Sequence, residues 1–117
     1  MEIEYSNRNV EKAFSDWGVL AKKHGLQLTK QLKKRIDQLE AMENVFELFG
    51  SGIDNPHLLG EDLAGCAGWS VTGRIRLIFD LREGKIEKLD LRVGSKTKIC
   101  IKGVVDYHGR KNEWIID

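Results

Sequence analysis

The apolar residues of this chain change period once, and that change limits the fold more than any other feature. Before Gly50 they recur at helical spacing; after Gly68 they fall into short, partly alternating runs. Val10, Ala13, Phe14, Trp17, Leu20 and Ala21 share one face of a first predicted helix. Asn7 or Asn9 supplies its cap, and His24-Gly25 its stop. Leu28, Leu32, Ile36, Leu39, Met42, Val45, Phe46 and Phe49 line a second helix, which Gln27 or Thr29 opens and Gly50-Ser51-Gly52 ends. Lys30, Lys33, Lys34, Arg35, Asp37 and Glu40 are expected on its solvent side. Two adjacent amphipathic helices joined by a short turn predict a helical hairpin, and each must bury its stripe.

Ile3 and Tyr5 alternate with acids and predict a short strand. Beyond a glycine-rich loop that carries the sole proline, Pro56, the segments 69–71, 75–81, 86–93 and 99–105 read as strands. Thr72-Gly73 is a tight turn, and Arg82-Glu83-Gly84-Lys85 a hairpin turn. Consecutive hairpins imply an antiparallel sheet. The expected fold class is α+β, an N-terminal helical hairpin packed on a curved antiparallel sheet of four to five strands. Trp114-Ile115-Ile116 is too apolar for a free tail, since each exposed side chain forgoes roughly 1.5–3 kcal/mol. It is expected to add an edge strand, to dock on the core, or to form part of a protein interface.

At 117 residues the chain suits one domain, 1–117, with no Gly/Ser-rich linker to divide it. No apolar run is long enough to span a bilayer, and Met1 to Tyr5 carries acids where a secretory signal carries lysines, so a cytoplasmic protein is expected. Cys66 and Cys100 fit neither a metal spacing nor a disulfide framework and read as reduced thiols. No metal or other cofactor is expected. A net charge of +1 argues only weakly for a polyanionic partner, but the basic residues cluster at Lys22-Lys23, Lys30 to Arg35, Arg74-Arg76 and Lys96-Lys98-Lys102.

The segment from His57 to His108 is the most informative. It contains the leucine-rich turn His57-Leu58-Leu59-Gly60-Glu61-Asp62-Leu63-Ala64-Gly65, then Trp69-Ser70-Val71, Arg76-Leu77-Ile78-Phe79, and the closing Asp106-Tyr107-His108. In order and spacing these resemble the HigB-like "killer protein" branch of the RelE superfamily, as does the helical run Lys33 to Asn44. The resemblance spans Glu4 to His108. It implies a RelE/ParE-like fold and a toxin of a type II toxin-antitoxin system, an mRNA endonuclease, often ribosome-dependent, that works without metal. The partners it implies are an antitoxin, expected to be a small helix-turn-helix protein, together with messenger RNA and the ribosome.

Such chemistry needs a base for a ribose 2′-hydroxyl, a cation for the phosphoryl oxygens and an acid for the leaving 5′-oxygen. Arg76 suits the cationic role, because its planar fork stays charged and matches phosphate oxygens. By alternation it shares a face with Ile78. On pattern alone it is equally a surface strand residue. His108 can act as acid or base, the general-purpose role of an imidazole. Tyr107 can bond a phosphate or stack on a base, and Asp106 can orient His108. The same three residues also fit an ordinary hydrophilic strand end. His57 is a second imidazole candidate, or a residue that orders its turn. His24, at a helix end where the dipole favours a cation, reads as structural. Arg74, Lys96, Lys98 and Lys102 are candidate RNA contacts. Lys30 to Arg35 is a solvated helix face or a phosphate contact.

Two positions depart from the branch's pattern. Ala64 stands where a lysine usually precedes the glycine, and Thr72 where many relatives carry arginine. Both changes remove positive charge, and Arg74, two residues from Arg76, is expected to compensate on the same face. A ParE-like gyrase inhibitor, or a catalytically decayed binding module of the same fold, is the alternative. The nuclease mechanism requires the guanidinium of Arg76 and the imidazole of His108 to converge on one surface.

Overall fold

A computed structural model describes residues 1–117. The elements are β1 (Glu2–Tyr5), α1 (Arg8–Ala13), α2 (Trp17–His24), α3 (Leu26–Ala41), α4 (Val45–Gly50), β2 (His57–Leu58), β3 (Cys66–Thr72), β4 (Ile75–Asp80), α5 (Leu91–Gly94), β5 (Lys98–His108) and β6 (Lys111–Ile116). A single 3-10 turn, Glu61–Leu63, lies between β2 and β3. The α+β reading holds, but the helical part is not a simple hairpin. Asp16 accepts a hydrogen bond from the Val19 amide and starts a new helix where one continuous helix was expected. Asn44 does the same for α4 through the Glu47 amide and cuts the second predicted helix after Ala41. Gly25, at φ 93°, closes α2 and opens α3.

The sheet has six strands in the order β1-β5-β4-β3-β2, with β6 also on β5. A strand offers two edges. One edge of β5 takes β4 from Cys100 to Asp106; β1 and β6 divide the other, at residues 98–101 and 104–108. β1 runs parallel to β5, so the sheet is mixed and not wholly antiparallel as expected. The expected strand at 86–93 is absent. Asp90 caps the Val93 amide and turns that stretch into loop and the short α5. Arg82 to Lys85 is therefore a loop turn, not a hairpin. Trp114-Ile115-Ile116 does add an edge strand, β6.

One face of the sheet, here the inner face, packs on the helices. Ala67, Trp69, Val71, Leu77, Phe79, Ile99, Ile101, Val104 and Ile116 meet Val10, Leu20, Leu32, Ile36 and Leu39 there. Arg35, expected on the solvent side of its helix, is 4% exposed and lies in this layer. The outer face carries a second, smaller apolar cluster of Leu63, Cys66, Ile78 and Val105, with Leu59 and Trp114 against it.

Candidate functional site on the outer sheet face

Residues directly opposite in a β ladder point to the same side, and neighbours along a strand point to opposite sides. Arg76 stands opposite Ser70 and Val105, which puts it on the outer face. Tyr107, two residues beyond Val105, is on the same face, and the Arg76 guanidinium carbon lies 4.3 Å from its ring centroid. Such a cation–π contact holds the guanidinium in place without consuming its charge or most of its N–H donors. The ion-paired arginines are Arg35, Arg74 and Arg92, which leaves Arg8, Arg76, Arg82 and Arg110 without a carboxylate.

Beside this pair is an open cleft of about 420 Å³. Leu59, Gly60, Glu61, Asp62 and Leu63 form one wall; Tyr107, Arg110 and Asn112 form the other. The first wall is held over the sheet because Leu59 and Leu63 pack on the outer apolar cluster. The second belongs to the β5–β6 hairpin, where Tyr107 stands opposite Asn112. Glu61 and Arg110, one on each wall, both have left-handed backbones, at φ 56° and 66°. His57 pairs with Gly68, so it too belongs to the outer face; its Nδ1 lies 3.1 Å from the Asn55 carbonyl oxygen.

Asp106 and His108 do not join Arg76. Asp106 stands opposite Ile75 and Glu113, and His108 opposite Lys111, on the alternation that faces away from Arg76 and Tyr107. His108 Nδ1 is 3.4 Å from Asp106 Oδ1, and its Nε2 is 3.5 Å from Glu113 Oε2, so the imidazole bridges β5 and β6. The expected convergence of the Arg76 and His108 side chains is not found. Arg74 lies in the β3–β4 turn outside the strand, so alternation does not bring it to Arg76. Its Nε pairs with Asp106 Oδ1 at 3.4 Å.

The three lysines are likewise dispersed. Lys96 lies outside β5 and binds Glu83 at 2.7 Å. Lys98 sits at the far end of β5 between Glu2 and Glu4, at 3.7 and 3.8 Å. Lys102 is the extra residue of a bulge between Ile78 and Phe79 in the β4 pairing, beside the outer cluster. Lys30, Lys33 and Lys34 line a shallow groove on α3, where Asp37 binds Lys33 at 3.1 Å.

The cysteines stand on either side of β4, both opposite Asp80, so two strand spacings, about 10 Å, separate them. A disulfide cannot bridge that span. Burial pushes the Cys66 thiol above its ordinary value, and nearby Asp80 adds to the shift. The Arg82 guanidinium donates to Cys100 Sγ at 3.1 Å. His24 is held below its ordinary value by burial and by Lys23, which outweighs the helix-end preference for a cation. No group of three His, Cys, Asp or Glu side chains is arranged to hold a metal ion. No helix is long and apolar enough to cross a membrane.

The sequence reading passed over Arg110, Asn112, Glu61 and Asp62 as site residues. One signal was available: a hydrophilic Gly109-Arg110-Lys111-Asn112 stretch between two apolar runs marks a hairpin, and a hairpin after Tyr107 returns its residues alongside that ring.

No family model matches the chain, and no curated protein matches it. Among solved structures it is similar to a YoeB/ParE toxin from Agrobacterium tumefaciens, with a TM-score of 0.49 and 14% identity, over 86% of this chain and 92% of that one. A likeness at that level bears on neither activity nor partner.

Proposed function

We propose that the chain is a toxin of a type II toxin-antitoxin system, an RNA endonuclease that takes messenger RNA on its outer sheet face and is held inactive by an antitoxin. The sequence resemblance to the HigB-like branch motivates this reading. The observation that carries it is the Arg76 guanidinium, unpaired and stacked on Tyr107 at the edge of an open cleft. A phosphodiester laid there meets a fixed cationic fork, and Arg110 stands ready for a neighbouring phosphate.

In the reaction, a base takes the 2′-hydroxyl proton and the 2′-oxygen bonds to phosphorus. The bond to the 5′-oxygen breaks as that oxygen receives a proton, which leaves a 2′,3′-cyclic phosphate and a 5′-hydroxyl. Arg76 stabilises the charge on the phosphoryl oxygens. Acid and base come from the same face, where His57 supplies the imidazole and Tyr107 a phenol. His108 and Asp106 act indirectly: they tie β5 to β6 and so position the hairpin that carries Tyr107, Arg110 and Asn112.

One observation favours a second reading, a ParE-like gyrase inhibitor or a decayed binding module. The imidazole that closes the sheet faces away from Arg76, and two carboxylates, Glu61 and Asp62, border the cleft that Tyr107 lines.

The test is expression of the wild type and of Arg76→Ala, His57→Ala and His108→Ala, with 5′ ends of cellular messenger RNA mapped. New ends in the wild type, lost with Arg76→Ala and His57→Ala but retained with His108→Ala, support the nuclease. Growth arrest without new ends rejects it, and inhibited gyrase supercoiling then supports the second reading.

A further inference from the structure

The Arg76 guanidinium covers a face of the Tyr107 ring, so that ring is poorly placed to receive a base. The outer face carries one other large aromatic side chain, Trp114. It stands opposite Val105, Val105 opposite Arg76, and Arg76 opposite Ser70. The four therefore form one row across β6, β5, β4 and β3 and point the same way. Two strand spacings, about 10 Å, separate the backbones of Arg76 and Trp114. That is the order of length from a nucleotide's phosphate to its base.

Trp114 is half-buried. Part of the indole rests on the outer apolar cluster, and Gly103 leaves it room, since a Cβ there would come within 2.9 Å of the ring. No cation and no second aromatic ring lies over it. Its N–H reaches solvent and donates to no protein group, whereas the N–H of the buried Trp69 is bonded to the Ile53 carbonyl. With Ser6, Asn7, Lys102 and Asp117, Trp114 lines an open cleft of about 270 Å³. This cleft is at the gap that β1 and β6 leave along β5, at residues 102 and 103.

The ion-paired lysines are Lys33, Lys85, Lys96 and Lys98. Lys102, half-buried in the cleft, is not among them. The one acid that borders the cleft, Asp117, is exposed, where water and salt screen it. An uncovered aromatic ring beside a free cation is the pairing by which sites for single-stranded nucleic acid hold a base and its backbone. The indole N–H remains to donate to an acceptor on base or ribose.

Resting on the RNA reading above, we infer that Trp114 and Lys102 form a nucleotide subsite beside Arg76: a base of the strand whose phosphate lies on Arg76 stacks on the indole, and the next phosphate meets the lysine.

The test is binding of a hexamer of 2′-O-methyl adenosine, which 2′-oxygen attack cannot cleave, followed by tryptophan emission at two salt concentrations. A stacked base quenches an indole, so the wild type is expected to lose emission as it binds. Trp114→Phe keeps a ring on the outer cluster, and Trp17 and Trp69 still emit. It is expected to bind within about threefold of the wild type with that loss of emission gone. Trp114→Ala is expected to bind about tenfold more weakly. Lys102→Gln is expected to bind about threefold more weakly, with a salt slope smaller by about one phosphate contact. Quenching that persists in Trp114→Phe, or wild-type binding without quenching, overturns the stacking and leaves the RNA reading standing. An unchanged slope in Lys102→Gln overturns the part given to the lysine. Failure of the wild type to bind overturns the subsite, and the 5′-end mapping then decides the nuclease reading separately.

Discussion

Arg35 lies over the Trp69 ring, 4.7 Å from guanidinium carbon to centroid, inside the layer where α3 meets the sheet. Its Nε donates to the Ser70 carbonyl at 3.0 Å, its Nη1 to Gln38 at 2.8 Å, and its Nη2 to Asp54. Trp69 in turn donates its indole N–H to the Ile53 carbonyl at 2.7 Å. One cation thus links α3, β3 and the loop before β2. Arg35→Ala removes the stacked stem and the donors together and is expected to cost about 2–4 kcal/mol. Asp54 is 53% exposed, so water replaces its partner, and Asp54→Asn is expected to cost less than about 1 kcal/mol. Urea unfolding at unchanged m-value checks both.

Gly103 stands where β4, β5 and β6 crowd together. A Cβ there would strike the Ile116 carbonyl oxygen and come within 2.9 Å of the Trp114 ring. Gly103→Ala is expected to lift β6 from β5 at a cost of about 1–3 kcal/mol. Faster amide exchange confined to β6 and the adjoining part of β5 is the signature to look for, with α2 and α3 unchanged.

Opposite faces predict opposite consequences for the two residues that the sequence reading had paired. Arg76→Ala is expected to weaken binding of a short single-stranded RNA about tenfold or more and to flatten its salt dependence. His108→Ala is expected to change affinity by no more than about twofold, because the imidazole touches Asp106 and Glu113 on the far side. A titration at two salt concentrations separates them; equal losses would contradict the assignment of faces.

Alkaline pH is expected to destabilise the fold. Burial raises Cys66 from its ordinary value of 9.0. Burial, with help from Glu40 and Glu11, raises Tyr5 from 10.0. The unfolded chain loses these protons first, so above about pH 9 it binds fewer protons than the native state, and stability falls as pH rises. His24 acts at the other end. Its folded value is lowered from 6.5, so the unfolded chain takes up the proton first and stability falls as pH drops below that value. Unfolding midpoints measured from pH 5 to pH 10.5 should decline toward both ends, and Tyr5→Phe should reduce the alkaline loss.

The sequence carried the strands whose apolar residues meet the helices, and the stops set by Gly25 and by Gly73. It did not carry the helix breaks at Asp16 and Asn44. There a local cap won over an apolar stripe that runs on unbroken. Nor did it carry the loss of a strand at 86–93, where alternation is clear but Asp90 offers its carboxylate to the next turn. The separation of Tyr107 from Asp106 and His108 was readable in principle, because consecutive strand residues cannot share a face. The motif likeness concealed it by presenting the three as one unit. The cleft itself was hidden, since its walls come from a turn and a hairpin far apart in the chain.

The division of one β5 edge between β1 and β6 has a consequence for biosynthesis. β1 finds its hydrogen-bonding mate only once synthesis has passed β5, and β6 fills the adjoining stretch of that same edge. Such long sequence separations slow folding. During synthesis the apolar side of α3 has no sheet to cover it, so the nascent chain is exposed to chaperones and proteases until β5 has been made.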